Sequence, residues 1–159
     1  MTGPQLDEEP AEHRRFGHYL QALEAVSESD EAALVAAVLR DQDTVMADSA
    51  VGRHLDRRAA DLLTEPRFTA WAQTMTRMIV DRDFLTRRLR EWTLLRTVAL
   101  GRPWAADELT GASDWFQRMA ATTQIATSPE ALRVLAERGR TRRVRNGANL
   151  QLRHLEQSN

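Results

Sequence analysis

Five arginines fall within eight residues near the C-terminal end of the chain, and no acidic residue lies among them. A guanidinium keeps its charge when partly buried and forks onto carboxylate or phosphate groups. The cluster therefore predicts a surface for a protein partner or for the phosphates of a nucleic acid, where binding weakens as salt rises. Ion pairs with the acidic residues 7–48, or a solvated helix face, explain the same pattern without a partner, so these interpretations remain open beside the two kinds of binding surface. The five residues are Arg138, Arg140, Arg142, Arg143 and Arg145.

The wider charge distribution leaves the same alternatives open. All 22 basic residues are arginine, and the net charge is −1. Residues 1–48 hold 11 acidic residues against 3 arginines, whereas residues 49–159 hold 12 against 19. Such an asymmetry indicates either a basic binding face or an acidic segment that folds back and neutralises it.

The four tryptophans divide into two predicted groups. Trp71 and Trp92 sit on apolar helical stripes and are expected in the core. Trp104 follows Arg102-Pro103 in a connection, and Trp115 stands at the start of a helical pattern. Tryptophan and arginine are enriched where binding energy concentrates, so Trp104 or Trp115 is a candidate anchor for a partner. Packing between helices is the alternative for both.

Histidines, cysteines and acids show no catalytic or metal-binding arrangement. His13 and His18 are five residues apart, which places them on different helical faces, whereas metal sites on helices use spacings of three or four. The chain has no cysteine, which excludes thiol catalysis, disulfides and thiolate metal sites. Acids such as Asp41, Asp43 and Asp48 are expected on a solvated helix face. We therefore predict no metal, no cofactor and no enzymatic activity, with an enzyme whose site the sequence hides as the alternative.

The elements that must position these residues are predicted to be helices. Apolar residues recur at spacings of three and four, and sustained alternation typical of strands is missing. We expect an all-α fold of about seven to nine short antiparallel helices in one domain over residues 11–157, after a frayed leader at 1–10. One helix is expected from Glu31 to Met46, a break at residues 47–49, and a new helix starting at Pro66. Gly101, Ser113 and Ser128-Pro129 have the residue types that end or begin helices.

Residues 128–157 resemble one unit of the leucine-rich-repeat-variant and HEAT-like helical repeats. The letters that carry the resemblance are Ser128-Pro129-Glu130-Ala131-Leu132, Leu135-Ala136, Gly139, Val144-Arg145 and Ala148. The resemblance implies stacked helix pairs toward the C-terminus that present a surface to a macromolecule, and it implies no reaction. Members of the variant family can hold an iron–sulfur cluster on cysteines, a feature that a chain without cysteine cannot share. An irregular helical bundle is the alternative architecture.

The same sequence predicts where the chain works and what it binds. No apolar run approaches the roughly 18 residues of a membrane span, and residues 1–12 carry no signal-peptide pattern, so a cytoplasmic location is expected. The predicted function is a non-enzymatic protein–protein interaction or regulatory module that uses the arginine-rich C-terminal face. A nucleic-acid-binding protein that uses the same arginines is the alternative, and the sequence leaves a homodimer open.

Overall fold

A computed structural model of the chain describes residues 10–123 and 128–159. Within these residues the protein is all-α, with nine helices and no strand, as predicted. The predicted leader lies outside the described residues except for Pro10. The helices are α1 (Ala11–Ala25), α2 (Glu31–Leu39), α3 (Thr44–Leu62), α4 (Phe68–Met78), α5 (Asp83–Ala99), α6 (Ala106–Gly111), α7 (Asp114–Thr122), α8 (Pro129–Arg138) and α9 (Arg142–Gln157).

The chain groups into two compact units, which are described separately below. Unit 1 comprises Met1–Ala59 and Thr69–Arg88, and unit 2 comprises Ala60–Phe68 and Leu89–Asn159. The single domain expected over residues 11–157 stays a prediction. Among the helices of the described chain, none has the length and apolar character that crossing a bilayer requires.

In unit 1, the core lies between α2, α3 and α4. Its fully buried side chains repeat at helical spacing, because each helix turns one apolar stripe inward. α1 buries only one side chain completely, that of Leu23. The buried apolar residues of α2, α3 and α4 in this unit are Val35, Val38, Leu39, Ala47, Ala50, Val51, Leu55, Ala59, Trp71 and Met75.

Three contacts align α3 with the first half of α5. Asp48 forms an ion pair with Arg82, just before α5, at 2.6 Å, and Asp56 forms another with Arg88 at 2.8 Å. Between them, a Cβ atom built on Gly52 would lie 3.4 Å from the Phe84 ring, so the two helices approach closely there. The contacts follow the same order along both helices, which means that α3 and this part of α5 run parallel.

The helix expected from Glu31 to Met46 is wrong in its extent, because α2 ends at Leu39 and α3 begins at Thr44. The side chain of Asp43 accepts a hydrogen bond from the Met46 N–H at 3.0 Å, and Asp41 accepts one from the Asp43 N–H at 2.9 Å. Short acidic side chains that satisfy free N–H groups favour a helix start, and here they move the break ahead of residues 47–49. Those residues are helical.

Pro66 also differs from expectation, since α4 begins two residues later, at Phe68. Pro66 lies in the connection from α3, where the Glu65 carbonyl accepts the Phe68 N–H at 3.1 Å. The neighbouring Arg96 of α5 is buried and donates hydrogen bonds to the carbonyls of Leu63 and Glu65. Its guanidinium therefore holds the connection in place beyond the negative end of α3.

In unit 2, the local signals for helix ends are confirmed. Gly101 adopts φ 66° two residues after the end of α5, in the left-handed region that favours glycine. Ser113 and Ser128 cap α7 and α8 by accepting backbone N–H groups from residues three positions later. The core of this unit contains Leu109, Phe116, Leu135, Val144 and Ala148.

Candidate binding surface

The predicted arginine cluster lies at the turn between α8 and α9. α8 begins with Ser128 as its cap and Pro129 in its first turn, and it ends at Arg138. Three residues separate it from α9, which begins at Arg142, and the Thr141 hydroxyl accepts the Val144 N–H at 3.2 Å. A capping side chain at the start of each helix fixes both ends of the segment that carries the cluster.

Gly139 makes this turn tight. A Cβ atom at this position would clash with the Leu135 carbonyl and would lie 2.8 Å from a methyl group of Val144. The Gly139 N–H donates to the Leu135 carbonyl, and its own carbonyl accepts from the Arg145 guanidinium at 2.7 Å. The turn is therefore closed by backbone contacts that leave no room for a side chain.

Three of the five cluster arginines bind groups of unit 2 itself. Arg140 donates to the Asp114 carboxylate at 2.6 Å and to the carbonyls of Thr110 and Ala112 at 3.2 and 2.8 Å. Arg138 pairs with Asp107 at 3.3 Å, and Arg145 holds the Gly139 carbonyl. These three guanidinium groups are thus engaged in positioning the helix ends. Their acidic partners in the described chain are Asp107 and Asp114, and not the acidic residues 7–48 that the ion-pair interpretation expected.

The other two arginines, Arg142 and Arg143, are exposed in the first turn of α9. In the part of the chain that the structure describes, neither guanidinium has a hydrogen-bond or ion-pair partner. The N-terminal end of a helix carries a partial positive charge, which favours acids and disfavours cations there. α9 has no acid in its first turn, so this pair of arginines opposes the stability of the helix.

An outward-facing row on α9 was missed by the sequence reasoning, which followed only the local density of arginine. Arg142, Asn146, Asn149 and Arg153 are spaced by four, three and four residues, and all four are exposed. This spacing places them on one face over about 17 Å, at 1.5 Å per residue. We call these four residues the outer row of α9. The outer row lies on the face of α9 opposite the buried stripe of Val144 and Ala148, so the helical spacing of that stripe would have predicted it.

The composition of the outer row is unusual for a solvated helix. Asparagine is a poor helix former, less favourable than alanine by up to about 0.7 kcal/mol. Exposed helix positions that serve only solubility favour glutamate, glutamine, lysine or alanine. Neither asparagine is buried, and within the described residues no side-chain hydrogen bond occupies Asn146 or Asn149, so the fold does not account for them.

The two tryptophans proposed as anchors occupy different surroundings. Trp115, in α7, is half-buried and packs edge-on against Trp92, with ring centroids 5.4 Å apart. It follows Asp114, the partner of Arg140, so the structure brings Trp115 to the edge of the cluster. Trp104 is half-buried in the connection between α5 and α6, and no ring contact or hydrogen bond found among residues 10–123 and 128–159 joins it to the cluster.

A second concentration of charge, in unit 1, was also missed. Glu31 is only 4% exposed, and one of its carboxylate oxygens accepts from His54 at 2.6 Å, from Arg58 at 2.9 Å and from the Trp71 indole at 3.2 Å. Burial raises the pKa of Glu31, but the hydrogen bonds from these three groups outweigh it and lower the pKa to about 2. We call Glu31, His54, Arg58 and Trp71 the buried carboxylate cluster.

The cluster forms because three helices that are distant in sequence meet there. Glu31 stands at the start of α2, where the helix end favours an acid. His54 and Arg58 lie one turn apart on α3, and Trp71 lies on α4. Trp71 is buried as expected, but the carboxylate that it shares with His54 could not be foreseen from its apolar stripe.

Asp41 is another acid whose position differs from the sequence prediction. Its side chain is 7% exposed, and it accepts hydrogen bonds from Tyr19 at 2.6 Å and from Arg15 at 3.2 and 3.3 Å. Hydrogen bonds from Tyr19, from the Asp43 N–H and from Arg15 lower the pKa of Asp41 to about 2. The solvated helix face expected for this acid is wrong, because the carboxylate fastens α1 to the connection between α2 and α3.

Neither cluster has the make-up of a metal site. In the described part of the chain, no group of three or more histidine or acidic side chains is arranged to hold a metal ion. Comparison of the chain with protein-family models, with curated proteins and with solved structures gave no match. The arrangement of side chains is therefore the basis for any statement about function.

Proposed function

We propose that this protein is a non-enzymatic protein–protein interaction or regulatory module that binds an acidic partner through α9. The outer row of α9 is the observation that supports this function. It presents two arginines and two asparagines over about 17 Å of helix without an acid between them. Guanidinium groups pair with carboxylates, and the amides between them both donate and accept hydrogen bonds.

The order of charges on α9 favours an acidic segment of a partner over a single anion. Arg142 and Arg153 mark the two ends of the outer row, and Arg143 flanks its first turn. Glu156 is the one acid of this helix, and it lies beyond the row. A partner helix or strand with acids at a matching spacing would neutralise these arginines, which have no acidic partner within the described chain.

A nucleic acid is the second candidate, because arginine and asparagine are also the side chains that read base edges. Proteins that bind nucleic acid tightly neutralise on the order of six to ten phosphates. Arg138, Arg140 and Arg145 are already engaged in unit 2, which leaves three outward arginines on α9. That number supports a protein partner more than it supports a phosphate backbone.

A site-specific photo-cross-linker distinguishes the two candidates. A benzophenone amino acid at Asn149, in the outer row, is compared with one at Gln73, an exposed residue of α4. In the native cells we expect the cross-linker at position 149 to form adducts with a protein. These adducts should persist after nuclease treatment and disappear in Arg142→Glu/Arg153→Glu. Adducts of equal yield from both positions would overturn the proposal.

Fluorescence anisotropy with a labelled random 20-base-pair duplex provides the complementary test. For a protein-binding surface we expect no association of the duplex at micromolar protein, even at low salt. Micromolar binding that weakens steeply with salt, and that Arg142→Ala/Arg143→Ala/Arg153→Ala abolishes, would replace the proposal with the nucleic-acid function.

A further inference from the structure

Polar contacts join α1 to the rest of unit 1 at its middle and at its C-terminal end. Leu23 is its one fully buried side chain, and Asp41 holds its middle through Arg15 and Tyr19. Its C-terminal end is held by Arg57 of α3, which donates to the Leu23 carbonyl at 3.1 Å. The last carbonyls of a helix have no partner within the helix, so this guanidinium caps α1.

The same Arg57 group bridges to the buried carboxylate cluster. One of its terminal nitrogens lies 3.0 Å from Nδ1 of His54, while Nε2 of His54 faces Glu31 at 2.6 Å. A guanidinium has only donors, so Nδ1 must accept with its lone pair. His54 is therefore neutral in this arrangement, with its single proton on Nε2 directed at Glu31.

We propose that His54 and Arg57 form a pH-sensitive latch on the C-terminal end of α1. A proton added to Nδ1 of His54 takes the lone pair that accepts from Arg57, and it sets two cations 3.0 Å apart. Arg57 then withdraws from His54 and from the Leu23 carbonyl, and the end of α1 loses its cap. This device acts in unit 1 and is independent of the function proposed for α9.

Histidine is the side chain that changes its charge between pH 5 and 8. The charged and polar groups around His54 come from three other helices and its own: Glu31 of α2, Arg57 and Arg58 of α3, Trp71 of α4 and the Leu23 carbonyl of α1. Glu31 and Asp41 both have a pKa of about 2, so these carboxylates stay ionised throughout that range. A response of this network to pH in that range therefore cannot come from the two carboxylates, and His54 is the histidine that joins Glu31 to Arg57.

Hydrogen exchange measured by mass spectrometry between pH 5 and 8 tests the latch. The background variant is His13→Gln/His18→Gln, so that no histidine of α1 itself contributes to the pH dependence. After correction for intrinsic exchange, amides of residues 21–26 are expected to exchange about five times faster at pH 5, as loss of one hydrogen bond predicts. Protection that does not change with pH would overturn the proposal.

Two substitutions in this background separate the latch from general loosening of the helix. Arg57 is exposed, so Arg57→Gln should not impair folding. In this variant we expect fast exchange at pH 5 and at pH 8. In the matched control Arg53→Gln, which removes the guanidinium stacked on Phe16, the pH dependence should remain. A pH dependence that survives Arg57→Gln would rule the latch out, whether or not the buried variant His54→Gln folds.

Discussion

The buried carboxylate cluster and the arginine cluster of α8 and α9 use charge in opposite ways. In the first, Glu31 is enclosed and receives donors from His54, Arg58 and Trp71, so its charge is compensated inside the protein. In the second, some guanidinium groups fix the helix ends while Arg142 and Arg143 face solvent. Compensated charge in the interior serves the fold, and uncompensated charge at the surface is available for a partner.

The largest effect is expected for Glu31→Gln. The neutral amide removes the buried charged partner of the Arg58 guanidinium and weakens the hydrogen bonds that now converge on one carboxylate oxygen. Breaking a buried ion pair from one side costs about 3–5 kcal/mol, which urea denaturation should show as a lower midpoint at unchanged slope. Glu28→Gln, at an exposed residue that also approaches Arg58, is the control and should cost less than about 1 kcal/mol.

The dependence of stability on acid pH tests the same cluster through the pKa of Glu31. The pKa of Glu31 is about 2 in the folded protein and 4.5 in the unfolded chain, so folding favours the ionised form. Its contribution, about 3 kcal/mol, is complete above pH 4.5 and is lost as pH falls towards 2. The difference in unfolding free energy between wild type and Glu31→Gln should therefore shrink over this window. A difference that stays constant down to pH 2 would contradict the assignment.

Gly139→Ala tests the rigidity of the region that presents the arginines. The added methyl group meets the Leu135 carbonyl and Val144, both in the packed interior of the turn. Overpacking of this kind costs about 1–3 kcal/mol, to be read from thermal unfolding. Gly111→Ala, where a Cβ would meet nothing within 4 Å, is the control and should change stability by less than about 0.5 kcal/mol.

The smallest effect on stability is expected for Arg142→Glu, which tests whether an exposed arginine of α9 serves the fold or a partner. An acid in the first turn of α9 interacts favourably with the helix end, so stability should rise by about 0.3–1 kcal/mol. Partner capture by the cross-linker at position 149 should fall in the same variant. Loss of stability in chemical denaturation would show that Arg142 serves the fold, as Glu31 does.

The signals that predicted helix ends correctly are local. Ser113, Ser128 and Gly101 act through contacts with residues a few positions away, which a single sequence displays. The break between α2 and α3 was placed too late because Asp41 and Asp43 interrupt an apolar pattern that continues on both sides. Their role as caps becomes visible only when their oxygens are seen on the N–H groups of Asp43 and Met46.

The sites were predictable only in part, because their partners are distant in sequence. The density of arginine marked the correct segment, yet the roles of Arg138 and Arg140 depend on Asp107 and Asp114, 31 and 26 residues away. Glu31 lies 40 residues before Trp71, so no spacing rule connects them. Chain topology, rather than local pattern, decides which charges meet.

The parallel alignment of α3 with the start of α5 has a consequence for assembly of unit 1. Ion pairs at Asp48–Arg82 and Asp56–Arg88 flank the point where Phe84 lies against Gly52. A slide of one helical turn, about 5.4 Å, would set the Phe84 ring against an aspartate or the Arg88 guanidinium against the glycine. The two ion pairs and the Phe84–Gly52 contact therefore form together only in the observed register.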